Sequence, residues 1–135
     1  MALIQWSEEF SVHIREIDLQ HKRLFELVNE FHDAMKAGQG KSVADKLLQE
    51  LNHYIRIHFA VEEHYLKKND YPGYSDQKAE HEQFAQKISE IEKRYQQNGV
   101  MLTADILFFL KNWLQGHILG GDKKYGPYLN SKGVF

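Results

Sequence analysis

The stretch from residue 47 to residue 62 carries an apolar stripe that two polar side chains continue. Apolar residues recur at spacings of three and four, which predicts an amphipathic helix; they are Leu47, Leu51, Tyr54 and Ile55. His58 and Glu62 lie on the same stripe. A carboxylate buried in an apolar core is strongly unfavourable unless it is paired with a cation or bound to a metal. The stripe therefore predicts a cationic group inside the fold, facing His58 and Glu62.

Four segments show helical periodicity, and glycine, proline and asparagine separate them. We expect helices over residues 19–37, 42–67, 75–97 and 101–118, with Asp18 capping the first. Short connections make sequential helices antiparallel neighbours. The sequence therefore predicts an all-α fold, an up-down-up-down antiparallel four-helix bundle with an N-terminal arm.

The length of 135 residues favours one domain over the whole chain. We expect an arm over 1–17, a metal-binding bundle over 18–122 and a C-terminal tail over 123–135. No signal peptide and no apolar run of about 18 residues is found, so a cytoplasmic protein without membrane insertion is expected. The net charge of -2, with both signs interspersed, excludes a basic face for nucleic acid. A monomer is expected.

Seven polar side chains are expected to meet at one end of the bundle. In this topology the start of the first helix, the end of the second, the start of the third and the end of the fourth lie together. The seven are His21, His58, Glu62, Gln77, His81, His117 and Asp122. At a rise of about 1.5 Å per residue they fall within one layer roughly 10 Å thick.

Asp122 requires a local change in the helix. It follows His117 by five residues, which places it about 140° away around an ideal α-helix. We expect Gly120 and Gly121 to break the helix through backbone angles that glycine readily adopts. The carboxylate of Asp122 can then turn back toward the histidines.

The composition limits the metals that such a cluster can hold. The chain has no cysteine, so imidazole and carboxylate are its only strong ligands, and these suit iron, manganese or zinc. Four histidines, two carboxylates and Gln77 exceed what one ion takes while keeping an open position, so two ions are implied. Glu62 and Asp122 are the natural bridges, because a carboxylate can span the separation of about 3.5 to 4 Å common in two-metal sites.

At these positions the chain resembles the hemerythrin family, specifically the single-domain bacterial hemerythrins. The shared pieces are Trp6, IDLQHKRLF around His21, HFAVEEH with its HxxxE, the HxxxH position at 77 to 81, and WLQGHILGGD with its HxxxxD. The resemblance implies a non-haem di-iron protein that binds O2. Gln77 departs from the pattern, because it stands where the family has the first histidine of HxxxH.

The resemblance also implies the role of each matched residue. His81 and His117 would hold one iron and His21 and His58 the second. Glu62 and Asp122 would bridge both irons together with an oxo or hydroxo group. The second iron would bind O2, in an apolar pocket lined by Phe59, Trp113, Leu114 and Ile118.

Gln77 leaves three alternatives open for the first iron. An amide oxygen is a weaker ligand than imidazole, so the iron is bound through Gln77, completed by water, or partly lost. A natural difference and an engineered substitution would both leave this pattern in the sequence.

The ligand types favour binding over turnover. Many neutral imidazoles and only two carboxylates stabilise high-valent iron poorly, and only Glu50 and His53 form an ExxH motif like those of carboxylate-rich di-iron proteins. The first hypothesis is reversible O2 binding for storage, delivery or sensing, with a reductase or an O2-consuming enzyme as candidate partner. The alternatives are a di-iron enzyme, such as a peroxidase or a nitric-oxide-handling reductase, and a structural bundle that holds zinc or no metal.

Overall fold

Four long helices and a short fifth helix make up most of the protein. The structure, a computed structural model, describes residues 3–38, 41–98 and 103–135. The helices are α1 (Arg15–Lys36), α2 (Lys41–Lys68), α3 (Tyr74–Asn98), α4 (Thr103–His117) and α5 (Lys123–Ser131). A 3₁₀ turn spans Glu8–Phe10, and a π-helical turn, Ile118–Asp122, joins α4 to α5. None of the helices in these ranges contains an apolar stretch sufficient to span a membrane.

The four long helices close into a ring. Helix α1 packs against α2 and α4, and α3 packs against the same two helices on the opposite side. Each helix contacts its neighbours in sequence, as short connections require. The predicted four-helix bundle is confirmed. The predicted start of the fourth helix at residue 101 lies outside the described residues.

Two apolar clusters divide the bundle along its axis. The larger cluster fills most of the bundle and includes Leu24, Phe25 and Ile55. The smaller cluster closes one end of the bundle and includes Ile17 and Leu66. Along α1 and α2 a gap separates the two clusters. His21 and Glu62 lie in this gap, and His58 lies one helical turn before Glu62 at its edge. The register of the apolar stripes therefore places a polar layer between two dry ones.

The N-terminal arm packs on the bundle and is tied to α1 by Asp18. Contrary to prediction, Asp18 does not cap α1, because the helix begins at Arg15 and includes it. The Asp18 carboxylate instead accepts hydrogen bonds from Ser11 Oγ at 2.6 Å and from the Val12 backbone N–H at 2.9 Å. Phe10 is buried, with its ring 5.1 Å from that of Phe25. Phe10 and the hydrogen bonds of Asp18 therefore hold the arm against the bundle.

The C-terminal residues add a helix that the sequence pattern did not indicate. Residues 123–131, assigned to a tail, form α5, which buries Tyr125 and Leu129 in the smaller cluster. Gly126 lets α5 approach the arm, because a Cβ at this position would lie 2.8 Å from the carbonyl oxygen of Val12. Helix α5 and the arm therefore close the end of the bundle that holds the polar layer.

Replacing Gly126 with alanine is expected to destabilise the protein by about 1 to 3 kcal/mol, because the added methyl group meets backbone that cannot move aside easily. Gly116→Ala is the matched control. Gly116 lies in α4 with open space around its Cβ position, so alanine there should stabilise by about 0.5 to 1 kcal/mol. Urea unfolding of the metal-free protein measures both changes, and equal effects would contradict the close contact of α5 with Val12.

Candidate metal centre

The seven predicted side chains all lie in the polar layer. Each is at most 7% exposed, and Glu62 and Asp122 are completely buried; the others are His21, His58, Gln77, His81 and His117. They come from α1, α2, α3, α4 and the π-helical turn. The structure therefore brings together every residue that the sequence placed at this end of the bundle. Whether each one binds metal stays a prediction.

One half of the layer is built on α1 and α2. The donor atoms of His21, His58, Glu62 and Asp122 all lie within 4.8 Å of one another. Nε2 of His58 is 2.6 Å from Oε1 of Glu62, and Nε2 of His21 is 3.1 Å from Oδ2 of Asp122. These four side chains can hold a metal ion.

The other half is built on α3 and α4 and uses the same carboxylates. Glu62, His81 and His117 form a second group whose donor atoms lie within 4.8 Å of one another. Oε1 of Glu62 is 3.8 Å from Nε2 of His81, and Oδ1 of Asp122 is 3.0 Å from Nε2 of His117. Asp122 thus turns one oxygen toward each half, and Glu62 belongs to both. This is the arrangement expected of two shared ligands.

Three residues outside the layer fix the orientation of its imidazole rings. Nδ1 of His58 donates to Gln20 Oε1 at 2.6 Å, since an amide oxygen can only accept a hydrogen bond. In the same way, Nδ1 of His81 donates to Glu63 at 2.8 Å, and Nδ1 of His117 donates to Glu80 at 2.6 Å. Such outer partners select the tautomer with a free Nε2 lone pair. The sequence interpretation missed all three.

The inward lone pairs require a cation. Nε2 of His81 lies 3.1 Å from Nε2 of His117, and Nε2 of His58 faces a carboxylate oxygen. In the neutral tautomers these contacts place lone pair against lone pair, which is repulsive unless a proton or a metal ion lies between the atoms. The donor set therefore fits a metal centre better than a network of hydrogen bonds.

Several buried atoms of the layer lack a hydrogen-bond partner among the described residues. They include both ring nitrogens of His21, Oε1 of Glu62 and Oδ2 of Asp122. His21 and Asp122 approach to 3.1 Å without the geometry of a hydrogen bond. Buried polar atoms are normally satisfied, so unpaired atoms that converge on one point indicate a missing ligand partner. A bound metal would satisfy them.

Without metal, the polar layer contains a protonated histidine. Burial lowers the pKa of His117, but the carboxylates of Asp122, Glu62 and Glu80 outweigh burial and raise it to about 9. Burial would raise the pKa of Asp122, yet His117 and His21 hold it well below its usual value. Burial lowers the pKa of His58, more than Glu62 raises it. Without metal, a proton on His117 is expected to provide the compensating cation at neutral pH.

A π-helical turn brings Asp122 to the layer. The predicted break at Gly120 and Gly121 is wrong in its mechanism, because neither glycine has the positive φ angle found at Gly38 and Gly133. The turn Ile118–Asp122 instead widens the helix. Since π-helical hydrogen bonds join residues five apart, His117 and Asp122 come to lie one above the other.

Two further contacts surround the shared carboxylates. Nε2 of Gln77 donates to Oδ1 of Asp122 at 3.1 Å, while Oε1 of Gln77 is buried without a partner among the described residues. The hydroxyl of Tyr125 donates to Oε2 of Glu62 at 2.6 Å. Burial, followed by the charges of Asp122 and Glu62, raises the pKa of Tyr125 well above its usual value. The Tyr125 hydroxyl thus stays a donor.

The four predicted pocket residues form an apolar wall beside the imidazoles. The ring of Phe59 stacks on His81 with centroids 3.8 Å apart, and Trp113 stacks on His117 at 4.4 Å. Leu114 and Ile118 are buried in the larger apolar cluster. Phe59 lies farther from His58, at 6.2 Å between ring centroids. Phe59 and Trp113 therefore pack on the imidazoles assigned to the first iron, and not on those of the second iron as the resemblance implied. The role of the four residues as an O2 pocket stays a prediction.

The remaining histidines lie away from the layer. His13, His53 and His64 are exposed, and His32 is half-buried on α1. Glu50 is also exposed, so the ExxH motif it forms with His53 does not reach the core. The metal-binding groups inside the bundle are therefore rich in imidazole.

Sequence comparison agrees with this geometry. Residues 12–129 match the family described as the hemerythrin HHE cation binding domain. The chain belongs to the hemerythrin family. Hemerythrin relatives cover nearly its full length: a bacteriohemerythrin of Methylococcus capsulatus is 33% identical over 97% of this chain and 100% of its own. One from Stenotrophomonas maltophilia is 33% identical over 97% of this chain and 84% of its own.

Solved hemerythrin structures share the fold. A wild-type hemerythrin crystal structure superposes with a TM-score of 0.86 at 34% identity, covering 95% of this chain and 98% of that one. At this level of identity both the bundle and the family are shared. The resemblance predicted from the sequence motifs is confirmed.

Proposed function

We propose that this hemerythrin binds dioxygen reversibly at a non-haem di-iron centre. The observation that carries this proposal is the sharing of both buried carboxylates by two groups of imidazoles. His21 and His58 would hold one iron, and His81 and His117 the other. Glu62 and Asp122 would link the two, with an oxo or hydroxo bridge completing the pair. When bound, two ferrous ions supply the two electrons that O2 takes up and returns.

The surrounding side chains favour binding without turnover. Four imidazoles are neutral ligands, so only two carboxylates offset the charge of the ions. Phe59, Trp113, Leu114 and Ile118 place apolar surface beside this layer. Such surface admits a diatomic gas and keeps water and ions away. We infer that these residues form the O2 pocket and that the chain is a carrier and not an enzyme.

Metal uptake is expected to release protons and to strengthen as the pH rises toward 9. The pKa of His117 is raised to about 9 in the metal-free protein, so at pH 7 a metal ion must displace its proton. Because the proton competes with the metal ion, the apparent affinity for metal falls about tenfold for each pH unit below that pKa. Calorimetric titration with Zn²⁺, in buffers of different ionisation enthalpy, counts the protons. Uptake at pH 7 without proton release would contradict the raised pKa.

Turnover assays test the proposal against its alternative, a peroxidase or nitric-oxide-handling reductase. The iron-loaded protein should form a coloured O2 adduct that argon removes, and it should not consume hydrogen peroxide or nitric oxide catalytically with excess reductant. The metal-loaded Glu50→Ala variant, altered only on the exposed face of α2, should behave identically. Sustained consumption of either substrate by the unaltered chain would refute the carrier function.

Several expectations from the sequence stay predictions. They are a single domain over residues 1–135, a cytoplasmic monomer, and a reductase or O2-consuming enzyme as partner. Storage, delivery and sensing of O2 are all compatible with the centre described.

A further inference from the structure

Gln77 presents the amide nitrogen, and not the amide oxygen, to the metal centre. Its Nε2 donates to Oδ1 of Asp122 at 3.1 Å. An ionised carboxylate can only accept hydrogen bonds, so the NH₂ group and not the carbonyl must face it. An amide NH₂ has no lone pair suited to a metal. In this orientation Gln77 acts on Asp122 and does not replace the histidine expected at its position.

The backbone of the π-helical turn holds the amide in place. A Cβ at Gly121 would lie 3.1 Å from Nε2 of Gln77 and 3.1 Å from Oε2 of Glu80. The amide and the Glu80 carboxylate therefore pack close to Gly121, in space that a side chain at this position would narrow. Rotation of the amide by about 180° would replace the Nε2 donor with the carbonyl oxygen and give up the hydrogen bond to Asp122.

The other end of the amide is left without a partner. Gln77 is 4% exposed, and its Oε1 is buried and accepts no hydrogen bond from the described residues. Leaving a buried carbonyl oxygen unpaired is strongly unfavourable. A donor from outside the chain, such as water, is therefore expected beside it.

A polar cleft beside Gln77 can supply such a group. The cleft has a volume of about 350 Å³ and runs between the first turns of α3 and the start of α5; its lining includes Tyr71, Asp76, Gln77, Gln83, Gly121 and Lys124. Charged and amide side chains on its walls can hydrogen-bond water. By contrast, the side of His81 and His117 that faces Phe59 and Trp113 is apolar.

We propose that Gln77 positions the shared carboxylate of Asp122 instead of binding iron, and that the ligand position it gives up beside His81 and His117 binds water or a small anion from the cleft. This inference rests on the proposed function, because it assumes the metal pair. The centre then has two exchangeable positions, one for O2 beside apolar residues and one for polar ligands beside Gln77.

Azide binding to the oxidised, iron-loaded protein tests the second position. The unaltered chain should bind about two azide ions per iron pair, one at each exchangeable position, whereas Gln77→His should bind about one because the imidazole fills the second position. Gln83→His is the matched control, since it makes the same change at an exposed residue of the cleft and should leave two azides bound. Equal azide counts for the unaltered chain and Gln77→His would overturn the inference.

A second measurement requires neither iron nor azide. In ¹⁵N-labelled protein the side-chain NH₂ signals of Gln77, identified by their loss in Gln77→His, should exchange slowly with solvent both before and after Zn²⁺ loading. Fast exchange of these signals after loading would mean that the amide has rotated to bind metal, and would overturn the inference. Failure of both the unaltered chain and Gln77→His to retain two irons would instead count against the proposed function.

Discussion

Glu62→Ala is expected to abolish the iron pair. Anaerobic loading of the unaltered chain should give about two irons per chain, and the variant should retain about one or fewer, because Glu62 contributes to both ligand groups. The substitution also removes the acceptor for the buried hydroxyl of Tyr125, 2.6 Å away. Iron analysis after gel filtration measures the loss.

Two further variants separate charge from shape and from surface effects. Glu62→Gln keeps the volume of the side chain but removes its charge, and it should lose iron nearly as completely. Glu50→Ala changes an exposed carboxylate on the same helix and should retain the full iron content. Retention of two irons by Glu62→Gln would show that the shared carboxylate charge does not hold the pair.

Glu80→Ala is expected to weaken metal binding about 10- to 100-fold, although Glu80 itself need not touch the metal. The Glu80 carboxylate accepts a hydrogen bond from Nδ1 of His117 at 2.6 Å and so keeps the Nε2 lone pair directed inward. The Glu80 side chain is 49% exposed, so its removal should not disturb core packing. We expect the lower affinity to come from a less well oriented and less basic His117 imidazole. Competition with a chelator for bound Zn²⁺ measures the change in affinity.

Glu80→Gln and Glu82→Ala are the controls for this prediction. The glutamine retains a carbonyl acceptor for His117 and should recover part of the lost affinity. Glu82 is an exposed carboxylate two residues further along the same helix, and its removal should leave affinity unchanged. An equal loss in Glu82→Ala would mean that surface charge, and not the orientation of His117, controls binding.

The bundle and its polar layer could be predicted because both follow from periodicity. Apolar residues three and four apart define the inward face of each helix. His58, Glu62 and His81 lie on those faces, so the positions that break the hydrophobic pattern are the ones that converge. Short connections then set the helix directions and the end at which the layer forms.

The π-helical turn was not predicted from the local sequence. The spacing of His117 and Asp122 showed that an ideal α-helix cannot direct both side chains toward the same centre. It did not distinguish a break at the glycines from a wider helix. In the structure the glycine at 121 provides room for Gln77 and Glu80 and does not adopt a positive φ angle. The packing of Gln77 and Glu80 of α3 against Gly121 is a contact between distant segments, which the local sequence does not reveal.

The outer partners of the histidines left a signal that was overlooked. Each follows or precedes a residue of the layer directly in sequence: Gln20 precedes His21, Glu63 follows Glu62, and Glu80 precedes His81. Each nevertheless serves a histidine on a different helix. Adjacency in sequence therefore indicated which residues border the layer, while the choice of partner depends on how the helices pack. Tyr125 gave no comparable signal, because only the path of α5 brings it to Glu62.

The paired occupancy of the centre is tested most directly by counting iron and O2 in the same sample. After anaerobic loading, the protein should contain about two irons per chain, take up about one O2 per iron pair, and release it on repeated argon flushing with the iron retained. About one iron per chain or fewer after loading, or O2 consumed and not returned, would contradict a di-iron carrier held by Glu62 and Asp122.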